Sequence, residues 1–122
     1  MTRDEFDSTV RQTVSELPPE LRRNIANVAI VVEEWPDDAT LDDAEVDDPL
    51  DLFGFYHGIP LTERTQNYGL VLPDKISIYR QPISQASRTD AEIREIVQRT
   101  VRHELAHYFG IDDERLEQLG AY

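Results

Sequence analysis

The stretch HELAHYFGIDD, residues 103–113, reads HExxHxxGxxD, and the fold is read outward from it. Residues four apart on a helix share a face, so His103 and His107 can offer two imidazole nitrogens to one metal ion. Glu104, one residue round, is placed as a base. Gly110 permits the left-handed backbone that ends a helix, and the chain can then turn an aspartate back toward the same ion. An aspartate at the start of a following helix also satisfies free N–H groups, so the pair Asp112 and Asp113 allows two jobs. The xxGxxD spacing assigns the metal to Asp113 and leaves Asp112 to cap or orient.

Upstream, Thr89 with Glu92 three residues on is a capping-box signature, which predicts a helix of about twenty residues ending at Gly110. Projected at about 100° per residue, Ile93, Ile96, Val97, Thr100 and Val101 share a face with His103, Glu104 and His107. Arg94, Gln98, Arg99 and Arg102 take the other side. The histidines are therefore expected to point toward the core, where a site is partly dehydrated. A lone inward histidine is usually a core residue, but two at i and i+4 with a glutamate between them are hard to explain that way. Leu105 and Phe109 project off this face, either as a weak exposed patch or as packing under a last short helix that carries Leu116 and Leu119.

A chain of 122 residues is one domain's worth. Its net charge of −13 argues against nucleic acid and anionic membranes as partners and favours cationic or neutral substrates. There is no cysteine, so a thiolate site is excluded and any zinc, one ion per chain, must use His, Asp, Glu and water. No apolar run approaches the roughly 20 residues of a membrane span, and MTRDEFDSTV lacks an apolar leader core. A soluble cytoplasmic protein is expected, with a monomer as the default.

Taken in order, Phe6, Val10, Val14 and Leu17 recur at helical spacing until Pro18 and Pro19. A second short turn presents Leu21 and Ile25, and the β-branched run Val28, Ile30, Val31, Val32 reads as a buried strand. Between residues 36 and 51 eight acidic side chains crowd beside two prolines, which predicts a solvated, mobile loop rather than a calcium site. Residues 52–56, 68–72 and 76–79 read as short strands, the last two joined by a turn at Pro73 and Asp74. Ile76 and Ile78 against Ser77 and Tyr79 suggest one buried and one exposed face, hence a sheet edge open to an extended peptide or masked by the neighbouring loop. The expected fold class is α+β: a small mixed or antiparallel sheet packed on helices, with the active-site helix near the C-terminus.

Two imidazoles and one carboxylate leave a zinc ion an open position for water, the mark of a catalytic site. Such water is acidified to a pKa of about 7, Glu104 would take its proton, and the same carboxyl would protonate the leaving amine. The reaction class is amide hydrolysis on a peptide or extended protein segment. His57, beside Tyr56 at a strand end, could line the cleft, and Tyr79 or Tyr122 could donate to an oxyanion, although each is more simply read as surface or packing.

HELAHYFGIDDERLEQLG, together with GIPLTER at 58–64 and LPDKISIYRQP at 72–82, resembles the small bacterial zincin-like metallopeptidases. The resemblance runs from about Phe6 to Gly120 and is weakest through the acidic stretch. It implies a minimal zincin fold, zinc held by His103, His107 and Asp113, and Glu104 as general base. The pattern departs from larger metzincins in its aspartate ligand and in having Met1 as its sole methionine, so no Met-turn lies under the ion. Only residues 114–122 follow the motif, too few for a second wall to a deep cleft, so short or extended peptides are the expected substrates. The rival reading is a non-catalytic, metal-stabilised module that recruits a partner protein through an edge strand or the acidic loop; Glu104 weighs against it.

Overall fold

The computed structural model describes residues 1–63 and 74–119. Helix α1 (Arg3–Ser15) begins in a capping box, in which the Thr2 hydroxyl accepts from the Glu5 N–H while the Glu5 carboxylate accepts from the Thr2 N–H. Of its buried residues Phe6, Val10 and Thr13 the first two follow the predicted spacing, while Val14 is only partly buried. A short α2 (Pro19–Arg23) leads into β1 (Val28–Glu33). Then come α3 (Asp38–Ala44), a 3₁₀ turn (Pro49–Asp51), β2 (Gly54–His57) and a second 3₁₀ turn (Leu61–Glu63). The chain resumes with β3 (Asp74–Tyr79), which runs directly into α4 (Arg80–Gln85), followed by α5 (Asp90–Phe109) and α6 (Asp113–Gln118).

The three strands form one mixed sheet in the order β1-β3-β2, with β1 parallel and β2 antiparallel to the central β3. Register places Ile30, Ile76 and Tyr56 in one row and Val32, Ile78 and Gly54 in the next. This face carries Ile76 and Ile78 into the main core with Phe6, Val97, Val101 and Leu105. Leu105 is therefore core and not an exposed patch, and Phe109 packs partly buried against both hydrophobic clusters.

Two expectations are corrected here. The first concerns residues 76–79, expected at a sheet edge; β3 is instead the central strand, and Ser77 and Tyr79 on its second face are fully buried. The Ser77 hydroxyl lies 3.3 Å from His57 Nε2, whereas the Tyr79 hydroxyl is buried with no hydrogen-bond partner among the described residues, and burial pushes its phenol up. The second concerns residues 36–51, which are not an irregular loop. Asp37 caps α3 by accepting from the Thr40 N–H at 2.8 Å, and Thr40 and Leu41 are buried. Asp48 likewise caps the 3₁₀ turn through the Leu50 N–H. Crowded charge beside two prolines predicts a solvated loop, yet here aspartate serves as the cap and proline as the first residue of a turn. The strand expected at 68–72 lies outside the described residues.

Candidate metal centre

Helix α5 is fixed at both ends. The Thr89 hydroxyl accepts from the Glu92 N–H at 3.1 Å, while the Glu92 carboxylate reaches back to the Arg88 N–H at 2.6 Å, one residue before the expected partner. At the other end Gly110 adopts φ 71°, with its N–H donating to His107 O and the Ile111 N–H donating to Ala106 O. That bond pair is a Schellman stop, and Ile111 packs with Ala106 as the motif favours. Thr62 lies directly over Gly110 where a Cβ would stand, so the position excludes larger residues sterically as well as conformationally.

The helix buries Ile93, Val97, Val101, Leu105 and Tyr108 along one stripe, and Glu104 sits at the margin of that stripe only 4% exposed. His103 and His107 do not point into the core as expected: their side chains are 52% and 51% exposed. At about 100° per residue the row 96, 100, 103, 107 lies roughly 120° round from the centre of the buried stripe, which places the imidazoles on its flank. They open onto a cleft of about 560 Å³. Its lining combines apolar side chains, Leu52, Phe53, Phe55 and Ile96, with His103, Glu104, His107 and Asp113.

Glu104 is anchored from the sheet. Its Oε1 accepts from the Tyr56 N–H at 3.0 Å, and the same oxygen lies 3.4 Å from His107 Nδ1. Its Oε2 lies 4.0 Å from His103 Nε2. Close approach of β2 to α5 makes this possible. It depends on Gly54, where an added Cβ would stand 2.6 Å from Thr100 Cγ2. The hydrogen bond with Glu104 raises the His107 pKa against the opposing effect of burial, with the nearby Glu104 and Asp113 charges adding to the rise. Metal entry at this imidazole must therefore displace a proton more often than at a free histidine.

Asp113 opens α6, and Asp112 is its N-cap, accepting from the Arg115 N–H at 2.8 Å. The Asp113 Oδ2 lies 3.3 Å from His103 Nδ1, so the helix stop does return the aspartate to the first histidine. Leu116, fully buried with Leu21 and Ala106, pins α6 in that position. Ligand-type atoms of His103, Glu104 and His107 all fall within 4.8 Å of one another, a group that could hold a metal ion. The donor set fits a borderline divalent cation: imidazoles and carboxylates, no thiolate, and open access from the cleft.

A family model of zincin-like metallopeptidases matches residues 25–121. The chain belongs to that family. A conserved hypothetical protein from Thermo thermophilus shares the fold at a TM-score of 0.58 and 20% identity, the match covering 98% of this chain and 97% of that one. No curated protein matches. No helix among the described residues of this zincin-like chain is long and apolar enough to cross a membrane.

The structure removes two secondary candidates from the cleft. His57 does not line the cleft: it lies edge-on to Phe55 and half-buried against Ser77, with its pKa lowered by burial and by Lys75. Tyr79 is fully buried. Tyr122 lies outside the described residues. Sequence reasoning missed the Tyr56 N–H, a main-chain donor that residue identity does not advertise. It also missed Gly54 and Thr100 as the contact that brings this donor to Glu104.

Proposed function

We propose that this chain is a zinc-dependent peptidase. The observation that carries the reading is Glu104: a carboxylate withdrawn from solvent, tied to β2 through the Tyr56 N–H, and set beside two accessible imidazoles at the mouth of a cleft. A purely structural metal site has no use for such a group. His103, His107 and Asp113 would hold the ion, one per chain. Asp113 is preferred to Glu104 as third ligand because Glu104 Oε1 is already committed to the Tyr56 N–H, whereas Asp113 is exposed and adjoins His103. Bound zinc would supply Lewis acidity, acidifying a water and polarising a carbonyl.

The protein's own part is to position and to move a proton. The Tyr56 N–H fixes the Glu104 carboxyl so that it faces the imidazole pair. Glu104 takes the proton of the attacking water and returns it to the leaving amine. The side of β2 turned away from β3 flanks the same cleft: Gly54 lines it and directs its backbone groups that way, while the Tyr56 N–H is taken by Glu104. An extended peptide can lie there as an added strand. The substrate is accordingly a peptide or unfolded segment. The protein is taken to act as a cytoplasmic monomer that binds neither nucleic acid nor membrane.

The test combines metal content by mass with cleavage of a peptide library. Wild type should carry close to one zinc per chain and cleave, and a chelator should stop it. Glu104→Gln should retain zinc with affinity changed less than about threefold and lose cleavage by at least about 100-fold, the scale of a general base. Asp113→Asn should weaken zinc by about 100-fold or more. Cleavage that survives Glu104→Gln, or zinc affinity indifferent to Asp113→Asn, refutes the corresponding role.

A further inference from the structure

Among the described residues, the charges that line the cleft are Glu104, Asp113 and Arg99. Arg99 sits on α5 one turn before His103, about 6 Å along the axis at 1.5 Å rise per residue. It is exposed, and no ion pair or hydrogen bond joins it to another described residue, although Glu92 and Glu95 line the neighbouring groove that it also borders. Sequence projection places it on the solvent side of the helix, away from the histidines. The long side chain nevertheless reaches the cleft wall, next to Ile96 and Thr100.

Resting on the peptidase reading above, we propose that Arg99 anchors a carboxylate of the substrate, so that the site prefers peptides bearing a negative charge one or two residues beyond the reacting carbonyl. The charge balance favours this. Once a divalent ion is held, the Glu104 and Asp113 carboxylates offset it, and among the described lining residues the Arg99 guanidinium remains as the uncompensated charge. The spacing agrees: an extended chain advances about 3.3–3.6 Å per residue, so 6 Å along the helix corresponds to roughly two residues. The guanidinium fork recognises a carboxylate in bidentate fashion. The apolar lining of the cleft, Leu52, Phe53 and Ile96, then takes the neighbouring side chain. The overall charge of −13 had pointed to cationic or neutral substrates. That argument describes the long-range field, which salt screens within about 8–10 Å, whereas selection at the site is set by the nearest cation. A carboxylate can come from the peptide's own C-terminus or from an acidic side chain, and the two sources are separable.

The experiment measures binding, independent of turnover. Pooled random hexapeptides, one pool ending in carboxylate and one in carboxamide, are captured on zinc-loaded Glu104→Gln protein and quantified by mass spectrometry. Protein with Arg99 should retain the free-acid pool about 10-fold or more over the amide pool, or should enrich Asp and Glu near the C-terminal end of the amide pool. The first outcome identifies a terminal carboxylate and the second a side-chain one. Arg99→Gln should remove the preference and Arg99→Lys should keep part of it, since a charge-assisted bond to an ionised partner is worth about a 10- to 100-fold change in affinity. A carboxylate preference that persists in Arg99→Gln overturns the proposal. Equal capture of both pools without acidic enrichment overturns it while leaving the peptide site intact. Capture of neither pool removes the peptide site as well.

Discussion

Substituting Gly54 by alanine tests whether the contact between β2 and α5 is what holds the Glu104 carboxylate in place. The new Cβ would stand 2.6 Å from Thr100 Cγ2 and 3.0 Å from the Ser77 carbonyl oxygen. Carbon atoms prefer about 3.5–4.0 Å, so the shortfall at Thr100 is close to 1 Å. Ser77 O belongs to the central strand and cannot give way, so either the threonine or the whole of β2 must move. Overpacking of this kind costs about 1–3 kcal/mol, offset by about 0.4–1 kcal/mol from the stiffer unfolded chain, since Gly54 needs no positive φ. The net expectation is a loss of about 1–2 kcal/mol, or roughly 4–10 °C in Tm for a domain of this size. Thr100→Ser removes the offending methyl, so the double variant should recover about 1 kcal/mol relative to additivity. The assay is urea denaturation of all four proteins, with hydrogen exchange at the Tyr56 amide, which is bonded to Glu104, as a local readout. Exchange should quicken in Gly54→Ala and slow again in the double variant. Energies that add within about 0.5 kcal/mol, or an unchanged Tyr56 amide, would refute the claim that this contact sets the position of that carboxylate.

Three further outcomes follow from the same geometry. Gly110→Ala meets both a left-handed backbone at φ 71° and the Thr62 side chain, so it should cost about 2–4 kcal/mol by denaturant titration. Adding Thr62→Ala should recover only the steric part; full recovery would mean the conformation costs nothing. Glu34 is held by Arg80, Gln81 and Arg3, and the Arg80 hydrogen bond above all lowers its pKa to about 2, against the opposing effect of burial. A carboxyl depressed in the fold stabilises above its unfolded pKa of about 4.5 and loses that stabilisation as pH falls toward 2. Glu34→Gln should thus be less stable at pH 7, by on the order of 1 kcal/mol after solvent screening of a partly exposed group, with the gap closing between pH 4.5 and 2. A gap constant across that window contradicts the assignment. Leu116→Ala should cost about 2–4 kcal/mol, and calorimetric zinc affinity should fall with it, because this side chain pins the helix that carries Asp113.

Where the sequence could be read, local chemistry was decisive. The capped helix, its glycine stop and Asp112 as the cap of the next helix all rest on spacings within a turn or two, which backbone hydrogen bonding dictates regardless of tertiary context. Where it misled, the deciding partner was distant. Ser77 and Tyr79 look like a solvent face because nothing nearby in the chain announces the elements that bury them. The acidic stretch hides a helix in which Thr40 and Leu41 alone are buried, and two inward residues among eight acids leave no periodic signal. The histidines were placed in the core because a helical projection gives the relative angle between residues without saying which angle faces the sheet; β2 settles that by closing on Thr100 and Glu104.

The site divides its parts by how firmly each is held. Glu104 is buried, and its Oε1 is hydrogen-bonded to the sheet, which suits a group whose work depends on orientation. The imidazoles stand half exposed on the same rigid helix, which suits the ligand role proposed for them. Asp113 belongs to neither framework: it rides on a six-residue helix fastened mainly through Leu116 to a small satellite cluster with Leu21 and Ala106. A helix that short has little stability of its own, so its docking and its contribution to ion binding are coupled. An ion that takes Asp113 as ligand must stabilise α6 by the same free energy that α6 lends to the ion. Zinc should therefore slow amide exchange in residues 113–118 far more than in β3, where the central strand is already buried on both faces. Equal protection gained in both places would show the ion acting on the fold as a whole, with Asp113 no part of its grip.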